Sequence, residues 1–337
     1  MPHTFGTVGA AIRKISSHER RLTMPAEHRQ PVWPIARYRF IFEAQSAIHL
    51  PEYAGSMLRG AFGHALRRIA CMTRELRCPG CPLYASCPYS LIFEPPPPLA
   101  HALQRFSAVP APYVVEPPVW GEYAYPPGTN LIFSVTLFGQ ALEKLALIVF
   151  AWQRAFEHGI GGGAAKLKDV RFIAPQGEMS VFDAKANRIS AHEQLLKLPP
   201  LAGENFCLTF TSPLRLQENG RALPPEGITA RALLLALARR VSLLAEFHAG
   251  FTPGYDFREM NKLAAAIALS CDLRWRHWER WSNRQKQKMT LNGLTGVVRL
   301  YDVPTLFHET LQVGQWTHVG KNAAFGLGRY ILEPIGR

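Results

Sequence analysis

Apolar and polar residues alternate along Arg37–Gln45 (Arg-Tyr-Arg-Phe-Ile-Phe-Glu-Ala-Gln), which predicts a strand. From Ala54 to Ala70 the period lengthens to that of a helix. Leu58, Phe62, Ala65 and Ile69 share one face, while Gly60, Gly63, His64 and Arg67 share the other, with Arg68 beside them. Asn130–Gly139 reads as a strand and Gln140–Glu157 as a strongly apolar helix. A Gly-rich segment starting at His158 then opens into another strand. The second half predicts a strand over Glu204–Ser212, a helix over Thr229–His248 and a further helical pattern over Glu259–Leu269. Strands at Leu273–Lys288 and Leu294–Tyr301 follow, then a short helix at Pro304–Val313, and His318–Leu332 is again a Gly-rich loop opening into a strand.

Both halves thus read strand, helix, strands, helix, Gly-rich loop, strand, with a histidine just before each loop (His158 and His318). Such a repeat indicates a duplicated supersecondary unit, and βαββαβ matches the order. The expected class is α+β with two tandem ferredoxin-like domains. They cover 34–198 and 202–337, meet at Leu198-Pro-Pro-Leu201, and follow a basic arm over 1–33.

Charge narrows the partners. With 38 Lys+Arg against 25 Asp+Glu the formal charge is +13, which calls for a polyanion or an anionic membrane surface. The longest clean apolar run, Leu145–Trp152, is far short of a membrane span. The first 30 residues carry Arg13, Lys14, Arg20 and Arg21 and lack the apolar stretch of a secretory signal. The expected location is therefore the cytoplasm, without a membrane, and Met24 is an alternative start.

Four of six cysteines cluster as Cys71, Cys78, Cys81 and Cys87. Outside an oxidising compartment such spacing points to thiolate ligation, either structural zinc or an iron–sulfur cluster, in a knuckle over 71–87 inserted in the first domain, with free or degenerate thiols as the third reading. Cys207 and Cys271 adjoin apolar runs and are expected to be core thiols.

The loop His318-Val-Gly-Lys-Asn-Ala-Ala-Phe-Gly-Leu-Gly-Arg329 sets Gly320, Gly326 and Gly328 around Lys321. Glycines permit positive φ, and free backbone N–H groups beside Lys321 and Arg329 would cradle phosphate oxygens. No Gly-Lys-Ser/Thr is present, so the Walker pattern is absent. A plain Gly-rich turn between strands is the competing reading. Within Arg274–Lys288, the residues Arg274, Arg276, Arg280, Arg284, Lys286 and Lys288 share one strand parity. They form a ribbon suited to phosphates, with Trp278 on the same side to stack on a base and Trp275 and Trp281 directed into a core.

Several of these segments together resemble a known family. Gly55-Ser-Met-Leu-Arg-Gly-Ala-Phe-Gly-His-Ala-Leu-Arg67, Cys87-Pro-Tyr89, Ile92-Phe-Glu-Pro95, Ser282-Asn-Arg-Gln285, Gly293-Leu-Thr-Gly296 and His318–Tyr330 resemble the CRISPR precursor-RNA processing endoribonucleases of the RAMP superfamily, the Cas-six type. The resemblance runs from about Pro34 onward. It departs at Asn322-Ala-Ala324, where hydroxyl residues are expected, and in the basic arm. It implies one cut per repeat of a CRISPR precursor RNA to give crRNA, by attack of the ribose 2′-OH on the adjacent phosphate. The products would be a 2′,3′-cyclic phosphate and a 5′-OH, with no metal needed for cleavage, and other CRISPR effector subunits would be further partners. It places catalysis on His64, with Tyr53, Arg67 and Arg68 in support and His49, His158 and His318 as rivals. RNA contact would fall to Arg59, the ribbon cations, His318, Gly320, Lys321, Gly326, Gly328 and Arg329. A non-cleaving RAMP subunit that holds crRNA and an iron–sulfur nucleic-acid protein are the alternatives.

Overall fold

The computed structural model describes residues 32–98, 109–121, 123–174, 177–282 and 287–336, with the backbone alone over 280–282 and 287–289. Most of the basic arm, together with Arg284 and Lys286, lies outside the described residues, as do the side chains of Arg280, Trp281 and Lys288. The described chain, from Pro31 on, is one compact unit.

Two antiparallel sheets organise it. In the first half, β1 (Ile35–Ala44) is followed by α1 (Gly55–Ala70), β2 (Tyr113–Glu116), β3 (Asn130–Phe138), α2 (Leu145–Glu157), β4 (Ala165–Ala174) and β5 (Gly177–Ser180). The sheet order is β2-β3-β1-β4-β5. The alternation of Tyr38, Phe40 and Phe42 explains the central place of β1, since these three rings are buried on one face against Phe133, Trp152 and Phe156. In the second half, β6 (Phe206–Leu214), α3 (Ala230–Leu244), α4 (Phe257–Ala266), β7 (Ala268–Ser282), β8 (Gln287–Tyr301), α5 (His308–Thr317) and β9 (Tyr330–Pro334) follow in order. The sheet order is β7-β8-β6-β9, the same permutation as in the first half with its added β5 set aside.

The halves share a core of their own. Trp33, Ile35, Val114 and Phe138 pack with Leu196 and Leu198 of the connector and with Val241, Leu244 and Val313. Trp33, expected within the arm, is therefore a buried anchor. Its strand pairs with Leu196–Lys197 and its indole N–H donates to Glu309 at 2.9 Å. A second tie forms where α3 runs on into a π-turn, Ala245–Ala249. His248 there donates from Nε2 to the Pro110 carbonyl at 2.6 Å and meets Gln140 through Nδ1 at 3.1 Å. Burial, and Arg240 nearby, push its pKa down to about 4 against the pull of the Pro110 hydrogen bond, so the ring is neutral. Gly139, at φ +52°, lets the His248 carbonyl pass where a Cβ would stand.

Cys271 is exposed, contrary to its expected place in the core, because β7 is an edge strand with an open outer face. Cys207 is half-buried.

Candidate nucleic-acid interface

The Gly-rich loop joins α5 to β9. His318 opens it at φ +58°, and Gly320, Gly326 and Gly328 have φ of +87°, +97° and +73°. The positive φ values follow from the sequence, but the close neighbours are the protein's own backbone. A Cβ on Gly320 would strike the Arg215 carbonyl, on Gly326 the Val115 carbonyl and Pro117, and on Gly328 the Val319 carbonyl. These glycines let the loop pack between the halves. His318, Val319, Ala323 and Phe325–Gly328 are buried, while Lys321 is exposed and Gly320 and Asn322 half-exposed.

Behind the loop lies a buried ionic cluster around Glu116, at the end of β2. Arg37 from β1 donates Nε to Oε1 at 2.9 Å, Thr136 from β3 donates to the same oxygen at 2.8 Å, and Arg329 reaches Oε2 at 3.3 Å. His318 Nε2 stands 3.7 Å from Oε1. Burial alone would raise the Glu116 pKa, but Arg37, His318 and Arg329 outweigh it and hold the carboxyl well below its usual range. Arg37 also donates to the Gln315 carbonyl at 3.0 Å and stacks over Trp316 at 4.2 Å, so one arginine spans both halves. His318 is fully buried, its pKa lowered by burial against the pull of Glu116. It braces the loop from within and has no face toward RNA, which corrects its expected contact role.

Helix α1 meets the loop at its first turn. Tyr53 is buried there, its hydroxyl donating to the Phe325 carbonyl at 2.8 Å, and burial raises its pKa well above the ordinary value. It supports the loop from a buried position, which corrects its expected place beside the reacting RNA. His64 lies nine residues along α1 from Gly55, about 13 Å. It is exposed, as is Arg68, and Gly60 one turn earlier opens onto space with nothing within 4 Å of an added Cβ. Gly63 has a different reason, since the Phe93 ring fills the place of a Cβ. Arg67 donates to the Glu75 carbonyl and lies over Tyr89, and Arg59 stacks over Phe93 at 4.2 Å. Both arginines are occupied structurally. His49 and His158 are exposed, with Nδ1 of His158 donating to the Arg154 carbonyl at 2.7 Å.

On the ribbon β7–β8 Trp278 and Trp275 exchange their expected places, while Arg274 and Arg276 are exposed as the ribbon reading expects. Trp278 is 3% exposed and packs with Tyr53, Trp120 and Phe325. Arg276, on the same face, stacks over Trp120 at 4.2 Å and pairs with Glu52 at 3.2 Å. This face docks onto the first half. The outward aromatic is Trp275, 38% exposed, with the His277 ring stacked 6.0 Å away. Arg274 is exposed beside Asp272. Glu52, Glu116 and Trp120 belong to no motif that the sequence displays. A lone carboxylate closing the run Tyr113-Val-Val-Glu116 is the available signal.

Comparison with known proteins bears on this arrangement. A family model described as an N-terminal domain matches residues 33–194, and the model of the CRISPR-associated endoribonuclease Cas6 matches 208–330. Residues 208–330 of the chain thus match the Cas6 family. Among solved structures, a product complex of Thermus thermophilus Cas6 (TTHB231) aligns at a TM-score of 0.53 and 16% identity, covering 89% of this chain and 99% of that one. A partial Cas6-RT-Cas1–Cas2 complex aligns at 0.50 and 11% identity, covering 89% of this chain and 46% of the longer partner. No curated protein sequence matches. At these identities the structures establish the Cas6 fold.

In this chain the cysteine cluster follows α1 directly. Cys71, Cys78, Cys81 and Cys87 are half-buried free thiols lining one cavity of about 10 Å³, close to the volume that a single water needs. Turns set the chain there: Cys81 N–H donates to the Cys78 carbonyl at 3.0 Å and Cys87 N–H to the Leu83 carbonyl at 2.7 Å. Among the described residues no three metal-ligating side chains are drawn together at coordinating separation. Burial, then Glu94, raises the Cys78 thiol pKa, with Arg67 partly opposing. The described residues also include no helix long and apolar enough to cross a membrane.

Proposed function

We propose that this protein cuts CRISPR repeat RNA by attack of the ribose 2′-OH on the adjacent phosphate, with His64 moving the proton. The carrying observation is the exposed His64 on α1, beside open space at Gly60 and one turn from the exposed Arg68 side chain, in a chain that matches an endoribonuclease family. That chemistry needs a proton acceptor near neutral pH, a donor for the leaving 5′-oxygen and cations near the phosphorane. Histidine supplies the first two in turn, and Arg68, an exposed cation one turn along α1, suits the third. The matching sheet orders of the two halves support a pair of ferredoxin-like units as the scaffold. The product complex of the Thermus relative and the Cas1–Cas2 assembly of the other support repeat RNA and CRISPR proteins as partners.

The test is cleavage of labelled repeat RNA in EDTA. Wild-type protein should cut once per repeat and leave a cyclic phosphate. His64→Ala should retain affinity within a few-fold and lose about 10²–10⁴ in rate. A 2′-deoxy substitution at the cut site should leave the RNA bound and intact. Cutting of the deoxy substrate would overturn the 2′-OH mechanism, and binding without any cut by the wild type would make the protein an RNA-holding subunit.

We also propose that the four cysteines hold a structural zinc, with iron–sulfur as the alternative. All four thiols line one shared cavity, and four cysteine thiolates suit a tetrahedral zinc. Elemental analysis should return about one zinc per chain, iron with a brown colour would favour the cluster, and neither element would remove the site.

A further inference from the structure

An open groove runs along α3 on the second half. It encloses about 720 Å³, well within the range of ligand sites. Its wall is one face of α3 from Thr229 to Leu243, and its far side includes Gly320 and Lys321 of the Gly-rich loop. Four cations line it, Arg231, Arg239, Arg240 and Lys321, against a single carboxylate, Glu218.

Arg240 is the telling residue. Its Nε donates to the Thr317 carbonyl at 2.7 Å, but its Nη2 is buried with no hydrogen-bond partner. Burial draws its pKa down to about 10, so the guanidinium is still charged at neutral pH. His248 nearby is neutral and supplies no counter-charge. A buried guanidinium without a counter-charge is costly, and an anion in the groove would supply one. The cations extend from Arg231 to Arg240, about 13 Å of helix. That length exceeds what one small anion can span. It suits successive phosphates of one strand, and Lys321 belongs to both the groove and the loop.

We infer that this groove takes the phosphodiester backbone of a single-stranded stretch of the repeat RNA beyond the part that meets the loop. The inference rests on the RNA-processing reading above. It adds a site on α3 that shares only Gly320 and Lys321 with the loop.

The experiment measures binding of a 2′-deoxy-blocked repeat RNA across a salt series. Ala236 lines the groove floor and is half-buried, so Ala236→Glu adds a negative charge while every cation stays in place. Ala236→Gln adds the same bulk with no charge. Arg231→Glu at the exposed rim is a second variant that does not disturb the floor. Both Glu variants should bind at least five-fold more weakly and flatten the log–log salt slope by about 0.7 for each phosphate no longer neutralised. Ala236→Gln should stay within two-fold. Unchanged affinity in both Glu variants, with the wild type binding, overturns the groove alone. Equal losses in Ala236→Glu and Ala236→Gln overturn the phosphate assignment, because bulk would then be the cause. Wild-type protein that binds no repeat RNA overturns the groove together with the RNA reading.

Discussion

At the scale of single residues, Glu116 shows how one carboxylate can serve two halves. It is 3% exposed and is met by Arg37 and Thr136 from its own sheet and by His318 and Arg329 from the loop side. Its pKa is depressed in the folded protein. It therefore contributes stability that is complete above the ordinary glutamate range near 4.3 and is lost as pH falls below it. Glu116→Gln should cost about 3–5 kcal/mol, since it leaves Arg37 buried beside a neutral amide. Denaturant melts at pH 7 read the loss, and the variant's acid limb should be flatter than the wild type's. Equal midpoints for variant and wild type would mean the cluster contributes nothing net. None of this was legible from residue identity alone. Glu116 and Arg37 are 79 positions apart, and only the pairing of β1 with β3, and of β3 with β2, brings them together. His64 was legible, because its exposure follows from helical phase within a single segment.

At the scale of elements, periodicity located most of the helices and strands but not β2 or β5, and on the ribbon it misplaced Trp278 and Trp275. Parity correctly grouped Arg274, Arg276 and Trp278. Which side faces inward depends on a partner outside the ribbon, and that partner is the Tyr53–Trp120–Phe325 group of aromatic side chains. Trp278→Ala should consequently destabilise the fold by about 3–5 kcal/mol. Trp275→Ala should leave the melting temperature unchanged and weaken binding of repeat RNA by about tenfold, within the 1–3 kcal/mol of a base stack. Fluorescence anisotropy and a thermal melt on the two variants decide the matter. Wild-type affinity in Trp275→Ala would place the RNA off this face. The glycine-rich loop carries a related lesson. Its positive φ values were foreseeable, but whether a glycine admits a ligand or a neighbouring carbonyl is fixed by the elements packed around it.

At the scale of the whole molecule, the duplicated order of elements was visible in the sequence, and the two sheets have matching strand permutations. The packing between halves was not visible, because Trp33, Leu196, Leu198 and Val313 each look like ordinary apolar residues of separate segments. Strand β9 completes the second sheet by pairing with β6, residue Phe206 opposite Pro334, across most of the second half. The Gly-rich loop is strung between α5 and β9, and its inner end is tied at Ser212, which donates to the Gly326 carbonyl at 2.6 Å and accepts from Arg329 N–H at 2.8 Å. Synthesis runs from the N-terminus, so α1 and His64 leave the ribosome before β9 has been made. A nascent chain thus carries its candidate proton carrier before the strand that ties down the loop exists.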